Sequence, residues 1–342
     1  MKNYDRILGA LLGAAIGDAM GAAPASRTPE LIKQDFGNDD FIYDYMDLLP
    51  DCTAFDMPKG AVTEGFSSAY VFADHICRNK GIVTPEIVRQ ALFDWKDGPT
   101  KIYYEKYAGP TTRKGVAIIE QNYKGDEGRD HLLFECRTAT CGAAVRAWIS
   151  GLYHNDDVEK AVTDALTIGY ITHDNPISLA AGAALAGAVV YAQMEAASLA
   201  SVLDGAVSSL DRAYRQAQSF CRPSSGASIV RRLDLAIETG IQFSNDFEKC
   251  ISVMNDRVGL GELASESVPA AFGFFTAAGG DVMKTVYLSI NAGNNCDTVA
   301  MLGAALAGAF HGADSIPGNH LEFLSAVNHM DIAGLARAIT DL

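Results

Sequence analysis

The chain has 342 residues, and 49% of them are hydrophobic, which is enough apolar material for a large core. Its 27 Lys and Arg residues are outnumbered by 42 Asp and Glu residues, so the formal net charge is -15. Nucleic acids and anionic membranes are bound through clustered Lys and Arg, and the densest basic run here is only Arg231-Arg232. This charge pattern excludes nucleic acid and the membrane surface as expected partners.

The cysteines and the apolar stretches predict a soluble cytoplasmic protein. Seven cysteines are scattered without a CxxC pattern, which is typical of reduced thiols. The N-terminal segment resembles a secretory signal because Lys2 and Arg6 precede the apolar run 7–17, but Asp18 interrupts that run. Other apolar stretches, such as 179–192, are predicted to be too short to span a bilayer.

The first segment of the chain predicts a helix that approaches another helix closely. Four glycines occur at every fourth position of this segment: Gly9, Gly13, Gly17 and Gly21. On a helix they lie along one face, and each costs about 1 kcal/mol relative to alanine. Backbone packed directly on backbone explains such a row. Segments 179–188 and 303–309 have the same small-residue composition, so we predict three helices in a tightly packed centre.

The remaining segments predict more helices within one domain. A helix is predicted to begin at Thr84-Pro85, since Thr often caps helices and Pro often opens them. Three longer helices are predicted where apolar residues recur at helical spacing: 156–169, 195–215 and 321–342. Two loops are predicted at 98–109 and 125–130. Strand patterns are nearly absent and no linker divides the chain, so we predict a single all-α domain over residues 1–342.

Two polar clusters from opposite ends of the chain are candidates for a shared site. The first is Thr-Glu-Gly at 63–65 and the second is Asn-Cys-Asp-Thr at 295–298, and each runs directly into an apolar helical segment. Oxygen atoms on short side chains beside a helix N-terminus suit a hard divalent cation. The same residue types commonly cap helices, so either cluster alone is also consistent with a purely structural role.

These segments resemble the ADP-ribosylglycohydrolase family, which includes the dinitrogenase-reductase-activating glycohydrolases. Five segments carry the resemblance in the family's order: 9–21, 60–67, 139–146, 171–174 and 291–300. The resemblance implies an orthogonal all-α helical bundle with a cleft that holds two Mg²⁺ or Mn²⁺ ions. It also implies that the ions orient a ribose while water displaces the group on its anomeric carbon.

The resemblance also shows where this chain departs from the family. Three metal ligands implied by the family are retained: Thr63, Asp297 and Thr298. Glu64 stands in place of an Asp, whereas Gly65, Asn295 and Ala25 replace carboxylate residues. The two carboxylates that remain in the clusters balance only one divalent ion, and unneutralised charge in a cleft is costly. We therefore predict at most one Mg²⁺ or Mn²⁺ ion, or none. The predicted ligands are Thr63, Glu64, Asp297 and Thr298.

The leading hypothesis is a hydrolase that cleaves a ribosyl bond, of the N-glycosidic kind, in a small nucleoside- or ADP-ribose-like compound. Such cleavage passes through an oxocarbenium-like state that nearby carboxylates stabilise. Glu64 is the candidate general base or metal ligand, and Asp297 is predicted to anchor the ion or the ribose hydroxyls. The other predicted substrate-binding residues are Asn295, Thr298, Asp18, His173 and Arg146.

Several alternatives stay open at this point. Asp18 could equally cap a neighbouring helix, and His173 and Arg146 could make purely structural interactions. A tyrosine cluster in the predicted loop could stack on a base or simply pack: Tyr103, Tyr104 and Tyr107. The alternative for the whole protein is a non-catalytic family descendant that binds a ribosylated ligand or a protein partner, and the sequence identifies no such partner.

Overall fold

The computed structural model describes residues 2–37, 40–123 and 139–342, and the loop predicted at 125–130 lies outside these ranges. Within them the chain is helical, and a single isolated bridge, between Thr140 and Leu263, is the only β pairing. The predicted all-α class is therefore confirmed. The α-helices are α1 (Tyr4–Gly21), α2 (Pro29–Phe36), α3 (Glu64–Arg78), α4 (Pro85–Asp97), α5 (Lys101–Tyr107), α6 (Pro110–Tyr123), α7 (Ala144–Ala147), α8 (Ser150–Tyr153), α9 (Val158–Tyr170), α10 (Pro176–Gln193), α11 (Leu199–Gln218), α12 (Ile229–Gln242), α13 (Phe247–Arg257), α14 (Ala264–Ala277), α15 (Val282–Ile290), α16 (Cys296–His311), α17 (His320–Asn328) and α18 (Ile332–Thr340).

The row of glycines on α1 packs against α16 along its whole length. A methyl group on Gly9 would lie 2.4 Å from the carbonyl oxygen of Gly308, and one on Gly13 would lie 2.3 Å from that of Ala304. Gly17 and Gly21 meet the α16 backbone in the same way, at positions progressively nearer its N-terminus. The two helices are therefore antiparallel, and the predicted contact of backbone on backbone is confirmed.

Helix α10 is the third small-residue helix of the centre and packs on α16, α9 and α11. It runs for 18 residues, longer than the apolar stretch predicted there, and its length and composition alone would allow it to cross a bilayer. In this fold, however, 94% of the helix is buried inside the protein, as in a core helix. A helix that is enclosed on all sides is apolar on all sides for that reason.

Two local predictions are wrong. The segment 98–109 contains α5 rather than a loop, because the rings of Tyr103 and Tyr104 are buried and Tyr104 packs edge-on against Trp95. The C-terminal segment forms two helices instead of one. His329 adopts a left-handed backbone conformation that ends α17, and the side chain of Asp331 caps α18.

The remaining predicted helices are confirmed, with boundaries shifted by a few residues. Helix α4 begins at the predicted proline, and the Thr84 hydroxyl accepts a hydrogen bond from the backbone N–H of Ile87 at 3.3 Å. Helices α9 and α11 begin two and four residues later than predicted, after the caps Asp157 and Ser198. These caps bond to backbone N–H groups that a helix leaves unpaired at its start.

Candidate functional site

A cleft of about 370 Å³ opens where the N-terminal ends of α3, α6 and α16 meet. Both polar clusters line it, although they come from opposite ends of the chain. Five of the predicted site residues face this cleft: Thr63, Glu64, Asn295, Asp297 and Thr298. Three others do not line it: Asp18, Arg146 and His173. The two small-residue helices α1 and α16 bring the clusters together, since Asp18 of α1 binds Thr63 of the first cluster and α16 begins within the second.

Backbone hydrogen bonds between loops fix the floor of this cleft. The N–H of Ser26 donates to the carbonyl of Asn294 at 2.7 Å, and the N–H of Asn294 donates to that of Arg27 at 2.9 Å. Ser26 and Asn294 both have positive φ angles, of 65° and 58°. Such left-handed conformations are costly outside glycine and concentrate where a site requires them. The loop after α1 and the loop before α16 are therefore held as one unit.

Glu64 is the first residue of α3, and its carboxylate accepts a hydrogen bond from the backbone N–H of Gly109. The pKa of Glu64 is raised to about 7, mainly by burial and also by the charge of Asp297, although the Gly109 bond and the cations Arg146 and Arg113 oppose the shift. A carboxyl group with this pKa is partly ionised at neutral pH. It can therefore both accept and release a proton there.

Asp297 lies in the first turn of α16 and accepts a hydrogen bond from the backbone N–H of Thr298 at 2.8 Å. Burial raises the pKa of Asp297 to about 6, and this bond opposes the rise. The partial positive charge of the helix N-terminus also favours the carboxylate form. Asp297 is therefore mainly an anion at neutral pH, whereas Glu64 in the same cleft is present in both its protonated and its ionised form.

A third carboxylate, that of Glu262, lines the cleft and was missed by the sequence reasoning. Its side chain is exposed, and its negative charge contributes to the raised pKa of Asp297. The carbonyl of Glu262 accepts a hydrogen bond from the N–H of Cys141 at 2.9 Å, which brings the segment before α14 to the cleft wall. No motif surrounds Glu262 in the sequence, so only the folded arrangement reveals it.

Of the three tyrosines in the predicted cluster, two make contacts within the fold and one lines the cleft. The Tyr103 hydroxyl donates to the side-chain oxygen of Asn328 at 2.9 Å, and Tyr104 packs on Trp95. Tyr107 alone lines the cleft. Its hydroxyl oxygen is buried and has no hydrogen-bond partner among the described residues.

Asp18 is fully buried and caps the start of α3 from the neighbouring helix α1. Its carboxylate accepts hydrogen bonds from the Thr63 hydroxyl at 2.7 Å, from the Thr63 N–H at 2.5 Å and from the Phe66 N–H at 3.3 Å. Burial raises the pKa of Asp18 to about 7 despite these donors. This is the capping role that the sequence left open, and it orients Thr63 at the edge of the cleft.

Arg146 and His173 are both fully buried behind the cleft wall. Arg146 donates to the Thr172 hydroxyl, and two of its nitrogens, Nε and Nη1, have no partner among the described residues. Burial lowers the pKa of Arg146 to about 10, although the charge of Glu64 opposes this. Burial also holds the pKa of His173 well below its ordinary value, and the charge of Arg146 adds to the effect. His173 is therefore neutral.

The residues present do not fit the paired metal centre that the family implies. A Cβ atom on residue 65 would lie 2.7 Å from Sδ of Met301 and 2.9 Å from Oδ1 of Asp18, so the missing carboxylate would fit only if these side chains moved. Ala25, where the family has a further Glu, also lines the cleft. Across the described ranges, no group of three or more His, Cys, Asp or Glu side chains could hold a metal ion.

The fold and the cleft define an all-α protein with an acidic cleft between helix N-termini. The family model of ADP-ribosylglycohydrolase matches residues 1–342, and the chain belongs to that family. It is 27% identical over 282 residues to the uncharacterized protein YegU of Escherichia coli (strain K12), across 82% of this chain and 80% of that protein. A solved structure described as an ADP-ribosylglycohydrolase-related protein complex has a TM-score of 0.62 at 22% identity, covers 98% of both chains and shares the fold.

Proposed function

We propose that this protein hydrolyses a ribosyl bond, of the N-glycosidic kind, in a nucleoside- or ADP-ribose-like compound. The observation that supports this most directly is the placement of Glu64 and Asp297 in one cleft of about 370 Å³, with pKa values raised to about 7 and about 6. Two carboxyl groups with different pKa values beside one cavity suit an acid–base reaction at a sugar. Membership of the family supports the same class of reaction.

In the proposed reaction, Glu64 acts as general base and Asp297 as an electrostatic partner. The Glu64 carboxylate takes a proton from a water molecule, whose oxygen bonds to the anomeric carbon as the bond to the leaving group breaks. The leaving group departs with the electron pair and takes a proton from solvent. The Asp297 anion stabilises the positive charge that develops on the ribose ring. Asn295 and Thr298 lie beside Asp297 and are proposed to hydrogen-bond the ribose hydroxyls.

A substrate panel with matched variants tests this proposal. Purified protein is incubated with ADP-ribosyl-arginine, O-acetyl-ADP-ribose and a set of nucleosides, each with Mg²⁺, Mn²⁺ or EDTA, and released base or ribose is measured by chromatography. Glu64→Gln should lower kcat by roughly 100-fold or more, since general bases contribute about that factor. Glu238→Gln is the matched control because Glu238 is exposed on α12, away from the cleft.

The possible outcomes separate the hydrolase from the non-catalytic alternative. Turnover that disappears in Glu64→Gln and persists in Glu238→Gln supports the hydrolase. Thermal stabilisation by ADP-ribose without turnover of any compound would instead identify a binding protein. Equal rates for Glu64→Gln and the unmodified protein would contradict the role assigned to Glu64.

A further inference from the structure

Four polar side chains form a hydrogen-bonded series that begins behind the cleft wall and ends at the cleft. In order they are Arg146, Thr172, His173 and Thr140. Arg146 Nη2 donates to the Thr172 hydroxyl, which lies 2.8 Å from His173 Nδ1, and His173 Nε2 lies 2.9 Å from the Thr140 hydroxyl. The first three residues are buried, whereas Thr140 lines the cleft. The family motifs quoted from the sequence do not explain why these residues should be linked.

The chemistry of the donors gives this series a direction. A guanidinium group only donates, so the Thr172 oxygen accepts from Arg146. Among the described residues His173 Nδ1 is the only acceptor within reach of the Thr172 hydroxyl, and we assign the hydrogen of that hydroxyl to this bond. His173 is neutral, and with Nδ1 accepting, its single ring proton lies on Nε2. Nε2–H therefore donates to the Thr140 oxygen.

The far end of the series is consequently a hydroxyl whose hydrogen is free to point into the cleft. The Thr140 oxygen already accepts from His173, and no acceptor for its hydrogen is recorded in the described part of the chain. Gly142 permits the arrangement, since a Cβ atom on that residue would lie 2.9 Å from His173 Cε1. His173 therefore lies directly behind Gly142, which lines the cleft, and only Thr140 reaches the cleft itself.

We propose that Thr140 is a substrate-binding residue whose hydroxyl donates a hydrogen bond to an acceptor oxygen of the ligand. Arg146, Thr172 and His173 are positioning residues that hold this hydroxyl in the donating orientation and do not touch the ligand. The identity of the ligand rests on the proposed function, in which the acceptor is an oxygen of a ribosylated compound. A phosphate oxygen and a ribose oxygen supply the same chemistry, and the ligands compared below distinguish them.

The tautomer of His173 tests the direction of the series without any ligand. Two-bond ¹⁵N–¹H correlation spectra of the uniformly ¹⁵N-labelled protein, assigned by comparison with His173→Gln, report which ring nitrogen carries the proton. The expected result is a proton on Nε2 and a bare Nδ1. A proton on Nδ1 would overturn the proposal, because the Thr140 hydroxyl would then have to donate to His173 and could not donate into the cleft.

Binding of ADP-ribose, ribose 5-phosphate and ribose, measured by isothermal titration calorimetry, tests the contact itself. Thr140→Val, which keeps the shape and loses the hydroxyl, should weaken ADP-ribose binding roughly 3- to 10-fold, the range for one hydrogen bond. Thr140→Ser, which keeps the hydroxyl, should stay within about twofold. A loss that also appears with ribose assigns the acceptor to the sugar, whereas a loss confined to the two phosphorylated ligands assigns it to a phosphate.

A double-mutant cycle separates positioning from structural support. If His173 acts through Thr140, His173→Leu should weaken ADP-ribose binding in the unmodified protein and have no further effect in Thr140→Val. Equal losses in both backgrounds would overturn the positioning role. Should His173→Leu fail to fold, Thr172→Val interrupts the series one residue earlier and serves the same cycle. If the unmodified protein binds neither ADP-ribose nor any nucleoside of the panel, the proposed function fails, and the His173 tautomer alone decides whether the series has the proposed direction.

Discussion

The contact between α1 and α16 and the cleft at its end use the same two helices in opposite ways. Along the contact, glycines bring the backbones together and leave no room for side chains. At the end of the contact, Asp18 and Asp297 are carboxyl groups whose pKa values are raised by burial, which shows that ionising them there is unfavourable. A rigid, close-packed pair of helices can therefore hold acids in surroundings that a looser scaffold would rearrange to avoid.

Disrupting the close contact should have the largest effect on the fold. Gly13→Ala places a methyl group 2.3 Å from the carbonyl oxygen of Ala304 on α16, so one helix has to move. We expect a loss of about 3 kcal/mol in the free energy of unfolding, measured by urea denaturation, which is typical of overpacking. Gly279→Ala is the control, since no atom lies within 4 Å of its added carbon and only its positive φ is strained. A loss of 1 kcal/mol or less for Gly13→Ala would contradict close packing.

Changing the pH should reveal how much the fold is destabilised when the buried acids of the cleft ionise. Folding raises the pKa of Glu64 from 4.5 to about 7, so the folded protein holds this proton more tightly than the unfolded chain. Its contribution to stability is present below pH 4.5 and is lost as the pH rises through about 7. Glu64→Gln removes the titrating group. The free energy of unfolding of this variant, relative to that of the unmodified protein, should therefore rise by on the order of 1–2 kcal/mol between pH 4.5 and 8.

Urea denaturation at several pH values measures this difference, with Glu238→Gln as the control. Parallel stability curves for Glu64→Gln and the unmodified protein would show that the Glu64 pKa is not raised. Asp297→Asn should show the same trend over a narrower range, since folding raises the pKa of Asp297 only to about 6.

Metal binding should distinguish this cleft from a paired metal centre. Mass spectrometry of the native protein after dialysis against Mn²⁺ should find at most one ion per chain. Asn295→Asp adds a carboxylate beside Asp297 and should tighten Mn²⁺ binding roughly tenfold, as hard cations favour charged oxygen ligands. Gly65→Asp should bring no such gain, since its side chain meets Met301 and Asp18. Two tightly bound ions in the unmodified protein would contradict this prediction.

The smallest effect is expected for Cys296, which lies within the second cluster and not on the cleft surface. Its thiol is fully buried and donates to the carbonyl of Gly21 at 3.6 Å, and burial holds its pKa well above the ordinary value. Cys296→Ala should therefore leave kcat on any substrate found in the panel within about twofold. A loss of more than tenfold without loss of stability would identify a thiol nucleophile instead.

The sequence predicted features that depend on spacing and missed those that depend on distant contacts. The glycines of α1 predicted the close approach to another helix, because a spacing of four residues is close to one helical turn. The clusters at 63–65 and 295–298 line one cleft, but the location of Asp18, Arg146 and His173 behind its wall could not be predicted from position in the chain. Glu262 has no local pattern, since a pairing between distant loops brings it to the site beside Thr140. Thr140 lies within segment 139–146, but the segment itself does not single it out as a cleft residue.

The partnership of α1 with α16 also constrains how the protein is made. Gly9 is synthesised long before Gly308, its neighbour in the fold, because almost three hundred residues separate them in the chain. Contacts between such distant segments form slowly, because a long loop must close before they contribute. The nascent chain therefore carries the apolar helix α1 without its partner while all the residues between α1 and α16 are synthesised. A truncation before α16 should yield a chain that aggregates or depends on a chaperone.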